Sequence, residues 1–335
     1  MNVNKWNDLA HDFNNSKIYH TYEWGVLLSE TCRHTIFYLQ ENDGIFPIAL
    51  IKSHIFGNRL ISLPFADYGG PCAQNQETTK SLILKTQELA QILKVDYIEI
   101  RHPDESSFKL FEEENFIRRD EYFTFIINLT IKLSELWKNI GDKNRNMVRK
   151  AEKNNIQVLT ASSKNDLKTF YGIYLETMKN LGSPPQPFTF FSKMWDLFYP
   201  EHLVLPMAIY DGECIACGIC FTYKKIIHHA YSCMLRDYSN LGGNVLIQWW
   251  IIKYGHDHSY TIMDFGRTRE NAGNFRFKKH WHGQMIKMPY FYKFVNGKLD
   301  ERQEIKYKSI SNLWRRYMPK FLAQRIGPWL IRQIG

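Results

Sequence analysis

Apolar residues recur at two spacings in the first part of the chain, and each spacing predicts one kind of element. Alternation over residues 35–41 and 45–52 predicts two strands, with Asp43-Gly44 in the hairpin turn between them. Helical spacing over residues 78–94 predicts an amphipathic helix. Further strands are predicted at residues 59–63, 97–101 and 122–129, and further helices at residues 6–13, 22–30 and 107–114. Residues 1–130 therefore predict one domain that mixes strands and helices.

Residues 156–300 predict a second domain of the same kind. Three apolar runs follow one another as an antiparallel meander, and Asp211-Gly212 marks its first turn. The runs are residues 203–210, 213–223 and 226–235; helices are predicted at 165–180, 188–199 and 245–258, and strands at 156–159 and 261–264. Residues 131–155 predict connecting basic helices. The predicted fold class is α/β (α+β), with two tandem domains whose mixed, largely antiparallel sheets are flanked by helices.

The net charge of +9 is concentrated at the C-terminal end of the sequence. Residues 302–335 contain eight Lys or Arg residues and one acid, a net charge of +7, among apolar residues from Leu313 to Ile334. Because Pro319 and Pro328 divide this segment, residues 301–335 predict a tail of short basic amphipathic helices. Such a tail suits an anionic membrane surface, and the alternative is a C-terminal brace on the domains.

The cysteines and the first residues indicate a reducing compartment. The sequence starts with polar residues, and no run reaches the ~18 apolar residues of a transmembrane helix, so a cytoplasmic protein is expected. Peripheral contact with the inner face of the cytoplasmic membrane stays an open alternative. Cys214, Cys217 and Cys220 have part of an iron–sulfur spacing, but strand alternation places Cys217 opposite the other two. Buried thiols without a metal are therefore expected.

Candidate chemistry is concentrated in residues 262–283. A predicted strand ends at Asp264, and Gly266 breaks it. α/β folds place reactive groups at such strand ends. Cations and aromatics then alternate: Arg267, Arg269, Arg276, Lys278 and Lys279 among Phe275, Phe277 and Trp281. Either the aromatics anchor the segment while the cations face a cleft that suits a phosphate or carboxylate, or the segment is a solvated basic loop.

These residues carry a resemblance to a known family. Asp264-Phe-Gly-Arg267, followed by Gly273-x-Phe275-x-Phe277-Lys278-Lys279, Trp281 and Gly283, resembles the C-terminal signature of FemAB-like proteins. These are N-acyltransferases of the GNAT superfamily, and the sequence is most similar to the short members that accompany exopolysaccharide and sortase-like export systems. The resemblance covers most of the chain. It implies two tandem GNAT-like domains with a cleft between them.

Two further groups of binding residues are implied by this resemblance. The predicted helix at residues 143–154 is similar to an Arg-rich helix of the family, and Arg145 and Arg149 are implied to contact phosphates. By spacing alone, that charged stripe is typical of a solvated face. The proline-bounded loop with Asp67 and Tyr68 is similar to a loop near the acceptor cleft, whereas by itself it is a plain turn.

The helix start at Gly242-Gly243-Asn244 bears on the donor. Free N–H groups at such a start bind anions, unless Asn244 is an ordinary cap. The acyl-CoA branch of the superfamily carries Arg/Gln-x-x-Gly-x-Gly/Ala here, and this sequence departs from that pattern. The departure favours aminoacyl-tRNA over acyl-CoA as co-substrate. No bound cofactor and no metal are expected.

The resemblance implies transfer of an aminoacyl or acyl group to an amino group of a cell-envelope precursor. The acceptor would be a peptidoglycan or exopolysaccharide precursor, linked to a lipid or a nucleotide. Lys278 is expected at the developing charge or a donor phosphate, with Lys279 and Arg267 beside it. Asp264 would orient these cations or act as the base.

Two other function classes fit parts of the sequence. A non-catalytic FemAB-like module would bind envelope polysaccharide or a lipid-linked sugar at the membrane. A nucleic-acid-binding protein follows from charge alone, and is disfavoured because the charge lies in one tail. Hydrolase, kinase and dehydrogenase motifs are absent from the sequence.

Overall fold

The computed structural model describes residues 3–41, 43–296 and 320–335. These residues form two compact units. The first unit holds residues 3–122, 288–296 and 325–335, and the second holds residues 123–287 and 320–324. The chain therefore leaves the first unit and returns to it. The sequence pattern instead predicts domains that follow one another along the chain.

Both units mix helices and strands, as the spacing of apolar residues predicts. The helices are α1 (Val3–Asp12), α2 (Tyr22–Cys32), α3 (Gln76–Ile92), α4 (Phe108–Glu113), α5 (Leu133–Asn139), α6 (Asp142–Lys153), α7 (Lys164–Leu181), α8 (Phe188–Phe198), α9 (Gly243–Asp257), α10 (Gly273–Lys279) and α11 (Lys320–Ile334). The strands are β1 (Thr35–Glu41), β2 (Gly44–Ile51), β3 (Arg59–Ile61), β4 (Tyr97–Arg101), β5 (Ile117–Arg119), β6 (Tyr122–Asn128), β7 (Gln157–Thr160), β8 (Leu203–Val204), β9 (Pro206–Tyr210), β10 (Glu213–Tyr223), β11 (Ile226–Met234), β12 (Ile262–Asp264), β13 (Thr268–Arg269), β14 (Gln284–Lys287) and β15 (Tyr290–Phe294).

The first unit is built on a sheet with the order β1-β2-β3-β4-β15-β5. Its pairs are antiparallel except β3 with β4. Every residue of β2 is buried because helices cover both faces of the sheet. Phe46 and Leu82 share one core cluster, whereas Ile45 and Trp6 share another.

Strand β15 belongs to the first sheet although it follows the second unit in sequence. It lies between β4 and β5, where Tyr290 pairs with both Arg101 and Arg119. Phe291 is fully buried there against Phe111. The predicted second domain, residues 156–300, therefore contains a strand of the first unit. An apolar run in the sequence predicts a strand but does not show which other strand it pairs with.

The end of α11 is held in the first unit by two buried arginines. Arg59 donates from Nη1 to Ile334 O at 3.0 Å and from Nη2 to Gln333 O at 2.6 Å. Arg101 donates from Nη2 to Gly335 O at 3.2 Å. The guanidinium groups satisfy carbonyls that a helix end leaves without intrahelical partners. For residues 325–335, the structure thus shows the brace that was one of the two predicted alternatives.

Two predictions about the tail meet different outcomes. Pro328 was expected to separate two helices, but it lies inside α11. The packing of residues such as Leu330 and Gln333 compensates for the hydrogen bond that a proline removes. The predicted tail residues 301–319 lie outside the described residues. In the described part of the chain, every helix is too short or too polar to span a bilayer.

The second unit is built on a sheet with the order β13-β6-β12-β11-β10-β9-β7, to which β8 and β14 add at β10 and β6. Helix α9 packs on β9, β10 and β11, and α6 packs on α9. Helix α7 packs on β10 and β11, and α8 packs on α7. Residues 131–155, predicted to connect two domains, fall inside this unit, because Leu136 and Val148 enter its core.

The cysteines of β10 correct one prediction. Alternation was expected to put Cys214 and Cys220 on one face, yet the Cys217 thiol is hydrogen-bonded to Cys214. The pairing of β10 with β9 shifts register between Cys214 and Ala216, and this irregularity brings Cys214 to the face of Cys217. All six cysteines are free and buried, as expected.

Replacing Arg59 tests the anchoring of the C-terminal segment. Arg59→Met removes two charge-assisted hydrogen bonds and leaves buried carbonyls unpaired, so we expect the free energy of unfolding to fall by about 2–4 kcal/mol. Arg119→Met, at an exposed position of β5, should change it by less than about 0.5 kcal/mol. Urea unfolding measures both variants, and equal stabilities would show that the anchoring is dispensable.

Candidate active site

The second sheet opens at Asp264, the last residue of β12. Strand β12 pairs with β6 on one side and, in parallel, with β11 on the other. Its pairing with β11 covers only Ile226–His228, whereas β11 continues beside β10 as far as Met234. The two strands therefore part beyond the pair His228–Asp264. In α/β folds, the ends of strands at such an opening are where ligands bind.

The Asp264 carboxylate is buried and receives hydrogen bonds from three segments. It is 3% exposed. Thr124 Oγ1 on β6 donates to Oδ1 at 2.6 Å, and the Gly266 N–H donates to the same oxygen at 2.9 Å. His228 Nδ1 on β11 lies 3.0 Å from Oδ2. Because a buried carboxylate is costly without donors, these bonds allow the charge to remain inside the unit.

The contact with Asp264 determines how His228 can act. The Nδ1–H that points to a carboxylate fixes the imidazole tautomer and leaves the basic lone pair on Nε2. Such a pair is the usual arrangement for a histidine that accepts a proton from a nucleophile. Asp264 is thus placed to orient His228, a role that differs from both roles predicted for it, and those two roles stay predictions.

Gly266 allows the chain to turn directly after β12. Its φ of 72° is in the left-handed region, which favours glycine. The turn directs the Gly266 N–H to Asp264 and its carbonyl to Lys278 Nζ, at 2.8 Å. Lys278 Nζ also donates to Arg267 O at 3.1 Å. One peptide turn therefore positions both the buried carboxylate and the cation.

The signature segment divides into anchored and exposed side chains. It forms the helix α10, which was not predicted from the sequence. Phe275 and Trp281 are buried, in line with their predicted anchoring role. Arg267 and Lys278 are half-buried, whereas Lys279 is exposed. The partial burial of Lys278 fits the prediction that cations of this segment face a cleft. The exposure of Lys279 fits the alternative of a solvated basic loop.

His229 occupies the next position of β11 and has a different environment. Its Nδ1 lies 3.1 Å from Oε1 of Gln248 on α9. Burial lowers the pKa of His229 to about 4; the Gln248 hydrogen bond opposes this shift, and the nearby charge of Lys278 adds to it. At neutral pH, His229 is therefore uncharged.

The arginines of α6 lie in the same unit. Arg145 donates from Nη1 to Trp137 O at 3.3 Å and forms a close ion pair with Asp142, so it fastens α6 to α5. Arg149 is exposed, and its guanidinium lies 5.6 Å from the centre of the Trp137 ring. Asn144 Nδ2 donates to His280 O at 2.9 Å, which joins α6 to the signature segment. The expected phosphate contact of both arginines remains a prediction.

The glycines before α9 have a packing role. Gly242 precedes the helix with φ 86°. A β-carbon on Gly242 would lie 3.0 Å from Met147 O of α6, and one on Gly243 would lie 2.9 Å from Ile215. Asn244 is half-buried, and the helix shows no side-chain cap. The positive φ and the close approach to Met147 O favour glycine at position 242 whether or not it binds a donor phosphate, whereas at position 243 only the end of the Ile215 side chain would have to move. The donor-phosphate role of these residues stays a prediction.

The predicted loop residues Asp67 and Tyr68 belong to the first unit. Both are half-buried. The Tyr68 ring contacts His102 at a centroid distance of 5.4 Å, and Lys17 Nζ lies 5.4 Å from its centre. The loop therefore presents an aromatic ring beside a cation within the first unit.

Sequence reasoning missed several residues of this site. Thr124, His228, His229 and Gln248 were not predicted as site residues. Within residues 3–41, 43–296 and 320–335, no group of three His, Cys, Asp or Glu side chains is placed to hold a metal. A signal for His228 was available: it follows two apolar strand residues in a run predicted to be central.

Comparisons with known proteins bear on the fold of the chain. Residues 142–279 match the family model described as "Acetyltransferase (GNAT) domain". No curated protein matches the sequence. The crystal structure of FemX is similar over 93% of this chain and 98% of its own, with TM-score 0.71 and 13% identity. The C-terminal domain of a putative lysylphosphatidylglycerol synthetase from Agrobacterium fabrum is similar over 92% and 95%, with TM-score 0.63 and 10% identity.

A third similar structure is a protein with two GNAT domains in tandem. The tandem GNAT protein from the clavulanic acid biosynthesis pathway has TM-score 0.53 and 10% identity, and the similarity covers 89% of this chain and 96% of that one. At such identities the likeness concerns the fold. The predicted fold of two tandem GNAT-like domains with helix-flanked mixed sheets is confirmed.

The stability of the second unit should depend on pH through His229. Between pH 6.5 and 4, His229 is protonated in the unfolded state but not in the folded state, so the free energy of unfolding falls as the pH decreases. Above pH 6.5, His229 is neutral in both states and does not affect stability. The expected loss from pH 7.5 to 5 is about 2 kcal/mol. His229→Gln should reduce this pH dependence of the urea unfolding transition. His256→Gln, on the surface, is the control, and identical slopes would contradict the assignment.

Neutralising Asp264 should destabilise the second unit. Asp264→Asn replaces one acceptor oxygen by an NH₂ group that faces a donor, so we expect a loss of about 3 kcal/mol in the free energy of unfolding. Asp257→Asn, at the exposed last residue of α9, should change stability by less than about 0.5 kcal/mol. Equal urea midpoints for the two variants would contradict the hydrogen-bond network described here.

Proposed function

We propose that the protein, whose residues 142–279 match the GNAT acetyltransferase domain model, is an aminoacyltransferase acting on an amino group of a cell-envelope precursor. The observation that carries the proposal is the placement of Lys278 at the turn after β12, beside the Asp264–His228 pair. This arrangement lies where β11 and β12 part, inside the matched domain. It supplies a fixed cation and an oriented base at one sheet edge.

The reaction requires two changes at the donor ester and one at the amine. The amine nitrogen forms a bond to the ester carbonyl carbon, and the ester oxygen leaves with the bonding electron pair. His228 Nε2 accepts the proton that the amine loses, and this proton then goes to the leaving oxygen. The Lys278 ammonium stabilises the negative charge that develops on the carbonyl oxygen. Asp264 holds the imidazole and stabilises its charged form.

The donor we propose is an aminoacyl-tRNA. The sequence lacks the glycine pattern of the acyl-CoA branch, and Gly242 and Gly243 are explained by packing against α6 and β10. Exposed cations of the second unit, including Arg149, Arg276 and Lys279, suit a polyanion. An aminoacyl-tRNA supplies its own reactive ester. Acyl-CoA is the competing donor to be tested.

The acceptor we propose is linked to a lipid or a nucleotide, as in peptidoglycan or exopolysaccharide precursors. The name of one similar structure, lysylphosphatidylglycerol synthetase, describes an aminoacylated lipid. On α11, Trp329 and Ile326 are exposed, at 52% and 41%, beside Arg325. This face and the +7 charge of residues 302–335 suit the anionic inner surface of the cytoplasmic membrane.

Donor discrimination tests the proposed function. The purified protein is incubated with radiolabelled aminoacyl-tRNAs, and separately with labelled acyl-CoAs, each with an extract of lipid-linked and nucleotide-linked sugars. Transfer of label from tRNA supports the proposal, whereas transfer from acyl-CoA alone replaces the donor. Absence of transfer from both, with acceptor binding retained, would instead support a non-catalytic module that binds envelope polysaccharide.

Removing the cation at the turn should stop the reaction without unfolding the protein. Lys278→Met retains the aliphatic part of the side chain and loses the charge, so we expect kcat to fall by about 10²–10³-fold. Lys253→Met, at an exposed position of α9, is the matched control. Single-turnover transfer and thermal unfolding are measured together. An active Lys278→Met variant would exclude the proposed role of Lys278.

A further inference from the structure

The loop between α7 and α8 contains a buried glutamine that makes no side-chain hydrogen bond with the described residues. Gln186 is 3% exposed, and both its Nε2 and its Oε1 are buried without a partner. Large surveys of proteins find partners for the great majority of buried polar atoms, and leaving one unpaired costs about 1–3 kcal/mol. A glutamine with both ends unpaired is therefore a candidate for recognition.

The backbone of Gln186 is held in place by two hydrogen bonds and two flanking prolines. The Gln186 N–H donates to Tyr174 Oη at 2.9 Å, and Tyr171 Oη donates to Gln186 O at 3.2 Å. Pro185 and Pro187 flank the residue and restrict its φ and ψ. Burial raises the pKa of Tyr174, so its hydroxyl stays protonated.

The loop is connected to the opening of the second sheet. The Tyr174 ring contacts Tyr231 at a centroid distance of 6.2 Å, and Phe191 contacts Tyr231 at 5.3 Å. Tyr231 lies on β11 past its last pair with β12, two residues after His229. The two helices that flank the Gln186 loop therefore contact the strand segment that borders the candidate active site.

We propose that Gln186 recognises a secondary amide of the acceptor, with Nε2–H donating to the amide carbonyl and Oε1 accepting the amide N–H. This inference rests on the proposed acyltransferase function, and it adds a specificity-determining residue to it. Because both atoms are covered in the unliganded protein, neighbouring side chains must move when the acceptor enters, while the backbone hydrogen bonds of Gln186 hold its position. The gain of two hydrogen bonds by an amide that is already desolvated favours the bound state.

The chemistry of the subsite restricts its ligand to uncharged groups. A carboxamide offers one donor and one acceptor side by side, which matches the N–H and C=O of a secondary amide. A charged ligand group would have to be desolvated against the uncharged amide of Gln186, which is costly. The secondary amide can belong to a peptide bond or to the N-acyl group of an amino sugar, and the experiment separates these two sources.

Stability and binding of two matched variants test the proposal. Gln186→Leu removes two unpaired polar atoms at similar volume, so Tm should rise by about 2–4 °C. Gln248→Leu, at a glutamine of 1% exposure that bonds His229, should lower Tm. A Tm for Gln186→Leu that falls as Gln248→Leu does would overturn the proposal, because it would reveal a partner for the amide within the fold.

Binding is measured on the full chain by titration with two probes, a tripeptide blocked at both ends and N-acetylglucosamine. Loss of affinity by about 10- to 100-fold in Gln186→Leu for the tripeptide alone assigns the subsite to a peptide bond. The same loss for N-acetylglucosamine alone assigns it to an N-acyl sugar. Unchanged affinities, or no binding of either probe by the wild type, would overturn the proposal.

The outcome is independent of catalysis, because no donor is present in the titration. If the wild-type protein binds a probe through Gln186 but transfers no label from any donor, the proposed transfer fails while the subsite stands. If the protein transfers label and Gln186→Leu has an unchanged KM for the acceptor, the subsite fails while the transfer stands.

Discussion

The hydrogen bonds of the Asp264 carboxylate are the constraint on which the rest of the site depends. They join β6 through Thr124, β11 through His228 and the following turn through Gly266, three segments that are distant or differently oriented in the chain. The turn that donates to the carboxylate also accepts from Lys278 through its carbonyl. A change at Asp264 therefore alters the position of the cation as well as that of the imidazole. The stability of this unit and the geometry of the candidate site therefore depend on the same hydrogen bonds.

The two adjacent histidines show how a strand separates two functions. Successive side chains of β11 point to opposite faces, so His228 meets a carboxylate while His229 meets the amide of Gln248. His229 is kept neutral by burial, and the charge of Lys278 contributes to the low pKa of about 4. A neutral ring next to the cation leaves the positive potential of Lys278 available to an anionic group. Such a potential suits an ester oxyanion or a phosphate.

The sequence allowed prediction of those features that depend on neighbouring residues. The hairpins at Asp43-Gly44 and Asp211-Gly212, the helix α3 and the burial of Phe275 and Trp281 follow from local spacing. Thr124 could not be assigned, because its contact with Asp264 spans 140 positions and depends on strand order. The same reason explains the placement of β15. The irregularity in β10 that places Cys214 on the face of Cys217 arises from the pairing of β10 with β9. The alternation of residues within β10 alone does not predict it.

Glycine at a helix start illustrates why a motif alone does not identify a donor. Gly242 adopts a positive φ, and any side chain there would approach Met147 O of α6, so packing of α9 on α6 is sufficient to require it. Its presence therefore carries little information about phosphate binding. Cations that form no ion pair within the fold are more informative about the donor. Arg145 is paired with Asp142, whereas Arg149 remains exposed over Trp137. A long-range field of exposed cations attracts a polyanion such as tRNA more strongly than a compact coenzyme, because each phosphate adds to the binding.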